Sequence, residues 1–301
     1  MLADALEGIA PRDGGCYVDG TFGGGGYARA ILDAANCTVL GIDRDPEAVE
    51  RGRRLAASYC GRLAVEQGQF SQLESLLARA GVSDTDGVVF DLGVSSYQFD
   101  TADRGFSFRD DGPLDMRMSK SGRSAADVVN TADEGTLTDI LRRFGEERQA
   151  RRIARAVIAA RPLTRTGELA EVVARALGPG AARYAIHPAT RTFQALRIFV
   201  NDELGELETG LAAAERVLRS DGRLVVVAFH SLEDRIVKQF LLQRSKPASR
   251  SRHAPESRNA KKQTFRLIWS RARMPTADEI ARNPRARSAR MRAAERTALA
   301  A

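Results

Sequence analysis

Short apolar runs recur along the first ninety residues, each closed by an acid or a turn and each followed by a stretch of helical periodicity. Cys16-Tyr-Val-Asp19, Thr38-Val-Leu-Gly-Ile-Asp43, Arg62-Leu-Ala-Val-Glu66 and Gly87-Val-Val-Phe-Asp91 are short and apolar enough to read as buried strands. Between them, Tyr27 to Leu32 reads as the first turns of a helix, and Pro46 to Ala57 follows Asp45, an N-cap residue with proline in the first turn. Ser71 to Arg79 carries Leu73, Leu76 and Leu77 on one face. Strands alternating with helices predict a parallel sheet with right-handed crossovers, whose ligands gather at the carboxyl ends of the strands. Asp19, Asp43 and Asp91 all fall on that edge.

A fifth run of this kind, Arg223 to Phe229, arrives only about 130 residues after the fourth, which leaves roughly 100 residues beyond an ordinary crossover. The fold class is therefore α/β, a Rossmann-like, mostly parallel sheet with an inserted helical domain. The expected domains are 1–105 with 190–301 for the sheet and 106–189 for the insert. Gly93 to Ser124 is irregular, rich in Gly, Ser and Asp, and reads as a functional lid. Helical patterns follow at Ala125–Asn130, Leu137–Phe144, Gln149–Arg161 and Thr166–Leu177. Residues 190–218 read as one long amphipathic helix packing on the sheet. Gln263–Trp269 and Ala289–Arg296 read as two late strands, after a basic segment, Lys246–Lys262, of mobile-loop composition.

With 301 residues and a 43% apolar fraction, the chain has ample core. No apolar run approaches the ~20 residues needed to span a bilayer and no signal-peptide pattern opens the chain, so a soluble, cytoplasmic protein is expected. Cys16, Cys37 and Cys60 form no C-x-x-C pair and read as core thiols, with no metal site. Charge changes the picture more. The net of +7 hides 16 Lys+Arg against 4 Asp+Glu in residues 244–301, a net of +12 there and −5 before it. Such a tail suits a polyanion, nucleic acid first, or else a solvated surface. Between Leu141 and Arg165 eight arginines face two glutamates, which fits a phosphate-binding face or a solvated one equally.

The chemistry centres on residues 16–26, where the first strand opens into Gly20-Thr-Phe-Gly-Gly-Gly-Gly26. Glycine lets the backbone turn sharply and lie against a ligand, and the helix that follows turns its first amides outward. This predicts a nucleotide-type cofactor. The loop alone is ambiguous, because Gly23-x-Gly25-x-x-Ala28 with Asp43 about 20 residues on also fits a dinucleotide fingerprint.

Further stretches narrow the choice. Asp19-Gly-Thr-Phe-Gly-x-Gly-Gly, Ile42-Asp-Arg-Asp-Pro46, Asp91-Leu-Gly-Val-Ser-Ser96, Arg104-Gly-Phe-Ser-Phe108 and Gly112-Pro-Leu-Asp-Met-Arg-Met118 lie in the first half. Gly145-Glu-Glu-Arg148, His187-Pro-Ala-Thr-Arg-Thr-Phe-Gln194, Phe229-His-Ser-Leu-Glu-Asp-Arg235 and Asn283-Pro-Arg-Ala-Arg-Ser288 complete the set. Together they resemble the bacterial 16S rRNA (cytosine-N4) methyltransferase family, RsmH, formerly MraW. The resemblance implies a class I S-adenosylmethionine-dependent methyltransferase fold, S-adenosylmethionine as cofactor, and methylation of N4 of cytidine 1402 in the decoding region of 16S rRNA. Its partner would be the small ribosomal subunit. Oligomeric state stays open, with a homodimer among the options.

The same resemblance carries cofactor positions over one at a time. Gly25, Gly26 and Tyr27 match the end of the glycine loop, Asp43 the acid that holds the ribose, and Phe70 the aromatic beside the adenine. Asp91 closes the fourth strand and Gln98 follows the serine pair. Tyr27 stands where the family usually has histidine, and Tyr97 where proline commonly follows the serines. The family's opening His-x-Pro-Val-Leu-type segment has no counterpart at Met1-Leu2-Ala3, so it is missing or begins upstream.

Methyl transfer from a sulfonium is an in-line displacement that relies on positioning and exclusion of water and calls for no metal. The cytosine amino group needs an acceptor for its N–H, which many amino-methyltransferases place in an Asp/Asn-Pro-Pro-Tyr turn after the fourth strand. Asp91, Ser95 and Ser96 occupy that place here and are the catalytic candidates, with His230 and Glu233 next; equally, Asp91 only binds the cofactor and the serines cap a turn. Phe106 and Phe108 either stack on a displaced base or form a small core. A nicotinamide oxidoreductase and a non-catalytic rRNA-binding assembly factor are the rival readings.

Overall fold

A computed structural model describes residues 1–178, 187–245 and 263–298, so the basic segment Lys246–Lys262 lies outside the described residues. The chain forms two compact units, residues 1–93 with 205–301, and residues 94–204.

The sheet unit opens with helix α1, Leu2–Ile9, and then alternates as the apolar pattern predicts: β1 Cys16–Asp19, α2 Gly26–Ala34, β2 Thr38–Asp43, α3 Pro46–Ala56, β3 Leu63–Gln67, α4 Leu73–Arg79 and β4 Thr85–Asp91. Asp45 caps α3 as its sequence suggests, accepting from the Glu47 amide at 3.0 Å. Leu73, Leu76 and Leu77 are all buried.

The helical unit follows with α5 Ser96–Asp100, α6 Ala125–Thr131, α7 Glu134–Gly145, α8 Ala150–Ala159, α9 Thr166–Leu177 and α10 Thr190–Asn201. The chain then returns through α11, Glu203–Val217, to β5 Leu218–Ala228, α12 Ser231–Ser245, β6 Phe265–Leu267, α13 Ala277–Arg282 and β7 Arg290–Arg296. The strand order is β3-β2-β1-β4-β5-β7-β6. β1 to β5 are parallel, and β7 runs antiparallel to both β5 and β6. This is the class I methyltransferase arrangement. Val88, Phe90, Leu224 and Val226 lie on one face of the sheet and Val39, Val89, Val225 and Val227 on the other, so both faces carry a core. Among the described residues no helix is long and apolar enough to cross a membrane.

Four expectations need correction. The single helix over 190–218 is two helices, broken where Asp202 takes a left-handed φ of 47°. α10 buries Phe193, Ala195 and Leu196 in the core of the helical unit, whereas α11 buries Leu207, Leu211 and Ala214 in the core of the sheet unit. The division therefore falls at 93/94 and 204/205, not at 105/106 and 189/190.

The expected lid, Gly93–Ser124, is built into the helical core instead: Phe106, Leu114, Met116 and Met118 are buried there. Backbone bonds fix it to its neighbours, Leu114 N–H to Thr164 O at 2.8 Å and Ala125 N–H to Asp115 O at 2.7 Å. The Arg104 guanidinium donates to the carbonyls of Arg117 and Met118 at 3.0 and 2.9 Å. Phe106 thus serves the core and not a base, with the Arg104 guanidinium 5.9 Å from its ring. Phe108 packs edge-on against Phe193 at 4.7 Å. Of the three thiols expected in the core, only Cys37 is buried; Cys60 is exposed, because it follows a 3-10 turn in a left-handed bend and leaves the surface outward.

Candidate functional site

The glycine loop is tied to three strands. Gly20 N–H bonds Val89 O, and Phe22 N–H bonds Ile42 O, both at 2.9 Å. Phe22 lies buried beneath the loop and fills the space that Gly41 and Gly52 leave free: a Cβ on Gly41 would come within 2.4 Å of its ring. Gly20 is needed for the same reason, since a Cβ there would lie 2.4 Å from Phe90. Gly25 caps α2 at φ 73°, a conformation that glycine adopts without strain. Gly26, next to it, is exposed and faces open space. The loop is therefore open at its far end and packed beneath.

Three acids stand at the ends of neighbouring strands. Asp19 ends β1, is fully buried, and accepts from the Thr21 and Ala28 amides at 3.3 and 3.2 Å. Burial outweighs those two bonds and pushes its carboxyl up to about 7. Asp43 ends β2 and accepts from Gly23 N–H at 2.7 Å and Asp45 N–H at 2.8 Å, so it holds the loop as well as facing the edge. Its carboxyl is also raised, by burial. Asp91 ends β4; its main-chain N–H donates to Thr21 Oγ1 at 2.6 Å, while its Oδ1 is buried with no hydrogen-bond partner. Burial first, then the charges of Asp19 and Glu233, lift its carboxyl to about 8. Tyr27, at the start of α2, is half-buried beside these acids, and burial with the Asp91 and Asp19 charges raises its phenol.

At the end of β5 the chain turns into α12 through a cap built by Glu233. Its Oε2 accepts from Phe229 N–H at 2.8 Å and His230 N–H at 3.3 Å, and its own N–H donates to His230 Nδ1 at 3.4 Å. Nε2 of the same imidazole lies 3.1 Å from Glu233 Oε1 but makes no hydrogen bond. Glu233 is buried.

Phe70, in the 3-10 turn after β3, stacks at 4.8 Å on Phe90. It is seated by glycine: a Cβ on Gly210 of α11 would lie 2.2 Å from its ring. Gly25, Gly26, Tyr27, Asp43, Phe70 and Asp91 thus belong to the sheet unit, around its carboxyl edge. Ser95, Ser96 and Gln98 belong to the helical unit. There Ser95 Oγ accepts from Gln98 N–H at 3.2 Å and Gln98 Oε1 accepts from Ser95 N–H at 3.0 Å, a capping box that starts α5. Ser96 is exposed and Gln98 buried. The sequence reading left Asp19 and Thr21 out of its site residues. The signal for both was the Asp-Gly-Thr run, because a threonine two residues after a strand-ending acid can reach the neighbouring strand.

The arginine-rich segments divide by partner. Arg151 and Arg155 both reach Glu134, at 2.8 and 3.0 Å, and Arg161 donates to Val129 O at 2.7 Å. Arg142, Arg148 and Arg152 are exposed on the same helical unit. In the tail, Arg292 donates to Asp234 at 2.7 Å and Arg290 stands 3.4 Å from the same carboxylate. Arg296 donates to the carbonyls of Glu215 and Thr264, both at 3.0 Å. Much of the tail's charge therefore binds β7 to its neighbours. Arg285 and Arg287 are exposed on a 3-10 turn.

Residues 1–297 match the model of the MraW methylase family. Over 301 residues the chain is 56% identical to a ribosomal RNA small subunit methyltransferase H of Parvibaculum lavamentivorans, covering 99% of this chain and 88% of that one. The protein of the same name from Rhodospirillum centenum is 58% identical, over 98% of this chain and 90% of its own. The one from Paramagnetospirillum magneticum is 54% identical, over 99% and 95%.

Proposed function

This chain belongs to the MraW methylase family, and on that premise we propose that it methylates the exocyclic N4 of cytidine 1402 in 16S rRNA of the small ribosomal subunit. It is an S-adenosylmethionine-dependent rRNA methyltransferase, acting in the cytoplasm. The observation that carries the finer reading is Asp91. A carboxyl oxygen buried without a partner, at the end of the fourth strand, stands where amino-group methyltransferases keep the acceptor for the target N–H.

The residues present fit the cofactor. Gly25, Gly26 and Tyr27 would lie along its methionine part, Asp43 would accept from the ribose hydroxyls, and Phe70 would flank the adenine. Bound there, the cofactor supplies an electrophilic methyl on a sulfonium. Asp91 accepts an N–H of the target amino group and so localises the nitrogen lone pair, which is otherwise delocalised into the cytosine ring. The buried acids and aromatics of the edge exclude water from the reacting centre. The exposed arginines of the helical unit would hold RNA phosphates. Mass spectrometry of 16S rRNA nucleosides, with and without the gene, tests the reading: loss of N4-methylated cytidine supports it, and an unchanged nucleoside profile removes it.

The serine pair gives a sharper test. Ser95→Ala with Ser96→Ala is expected to lower methyl transfer at least ~10-fold, about 1.4 kcal/mol, with little change in cofactor affinity. Ser95→Ala alone removes the α5 cap and should destabilise the helical unit by ~1 kcal/mol. If Ser96→Ala leaves the rate untouched and the loss follows stability, the pair only shapes the turn.

RNA contact by the tail divides in the same way. Arg285→Gln with Arg287→Gln should reduce the slope of RNA affinity against salt by about 2. Arg292→Gln should instead destabilise the protein, because it strips a buried carboxylate, Asp234, of its shortest ion pair. Equal salt slopes for the double variant and the parent protein would assign these exposed arginines to the solvated surface.

A further inference from the structure

Three carboxylates crowd the carboxyl edge between β1, β4 and α12: Asp19, Asp91 and Glu233. Asp19 and Glu233 are each anchored by two main-chain amides, at 3.2–3.3 Å and 2.8–3.3 Å respectively. Of these three acids, Asp91 is the one with a buried oxygen, Oδ1, that has no hydrogen-bond partner among the described residues. The titratable groups coupled to it are Asp19 from β1, Tyr27 from α2 and Glu233 from α12, the last with His230 Nε2 at 3.1 Å from its Oε1. Its register neighbour on β5, Val227, is apolar. Asp43 adds a further negative charge behind Asp19. A buried oxygen in such surroundings is satisfied either by a proton or by a cation.

Resting on the reading of this edge as the cofactor site, we infer that Asp19, Asp91 and Glu233 distinguish cofactor from spent product by charge, with Asp91 as the group that exchanges a proton for the sulfonium. S-adenosylmethionine brings a sulfonium and an ammonium; S-adenosylhomocysteine keeps only the ammonium. Arrival of the cofactor ionises Asp91, and the proton leaves to solvent. In the reaction the N–C bond forms and the C–S pair goes to sulfur. The target nitrogen keeps its N–H electron pair, and its proton passes to the Asp91 carboxylate. The sulfonium charge is thus replaced by a proton on Asp91, the state that the free site favours, so the product leaves a site that no longer needs its charge. Burial, which places this carboxyl at about 8, puts the exchange within the working pH range.

Calorimetry on the full chain near neutral pH, in buffers of different ionisation enthalpy, tests the inference with S-adenosylmethionine and S-adenosylhomocysteine as ligands. Binding of the first should release about one proton more than binding of the second. Its affinity advantage should grow towards ~10-fold for each pH unit between roughly 6 and 8. Asp91→Asn should abolish the difference in proton count and cut the preference at least ~10-fold. Infrared spectra of the unaltered protein should show a protonated carboxyl band that disappears with S-adenosylmethionine and persists with the product, a readout that needs no variant. Equal proton release by the two ligands, both binding, overturns the charge exchange and leaves the cofactor site standing. Failure of S-adenosylmethionine to bind overturns both.

Discussion

Replacing Asp91 by asparagine is expected to lower methyl transfer to 16S rRNA at least ~100-fold, about 2.7 kcal/mol of transition-state stabilisation, while the cofactor-free protein gains stability above pH 8. Asparagine keeps the shape of the side chain and the main-chain bond to Thr21 Oγ1, so the strand end is preserved. What it loses is a carboxylate that can take the amino proton. The stability gain follows from the direction of the shift: the Asp91 carboxyl sits at about 8 in the fold, far above about 3.9 in an unfolded chain. Between those values the folded state holds more protons than the unfolded one. Stability from this group is therefore complete below pH ~4 and is lost as the pH rises through 8. Asparagine has no proton to lose, and above pH 8 it should be favoured by ~2–4 kcal/mol. Denaturant unfolding of both proteins from pH 6 to 9, beside single-turnover rates, checks both halves. An undiminished rate would take Asp91 out of the reaction, and a variant less stable at every pH would mean that its carboxylate has a partner in the fold.

The second large effect concerns the helical unit. Asn201→Ala should destabilise it by ~2–4 kcal/mol, measured as a lower denaturation midpoint. Asn201 is 3% exposed; its Nδ2 donates to Met116 O at 2.7 Å and Arg197 O at 2.9 Å, and its Oδ1 accepts from Met118 N–H at 2.8 Å. Truncation leaves two buried main-chain groups of the irregular segment without that partner, which is the costly case. Protection of the Met118 amide against hydrogen exchange should fall with it. If the amide remains protected and the midpoint is unchanged, other bonds hold the segment and Asn201 is redundant.

The order of strands and helices in the sheet unit was legible because its signals are local. A buried parallel strand must be apolar throughout, a helix start needs a cap such as Asp45, and strand-ending acids mark the edge where ligands gather. The glycine loop was legible for the same reason, since a close turn needs glycine whatever surrounds it. The family resemblance added cofactor and substrate, which no local pattern supplies.

Tertiary structure decided where that local evidence was silent. The periodicity of residues 190–218 runs unbroken through Asp202, because two helices packing on different cores can share one apolar repeat; only the bend in the chain separates them. Gly93–Ser124 is polar and irregular by composition, yet buried arginine and asparagine side chains satisfy its main chain and turn it into core. Charge counting could not tell Arg292, paired with Asp234, from exposed Arg287, because pairing depends on which strand lies alongside. Residue types and spacing by themselves determined the sheet, its ligand edge and the acids upon it. Which of those acids holds a buried oxygen without a partner was decided only by folding, because burial and hydrogen bonding depend on neighbours far apart in the chain.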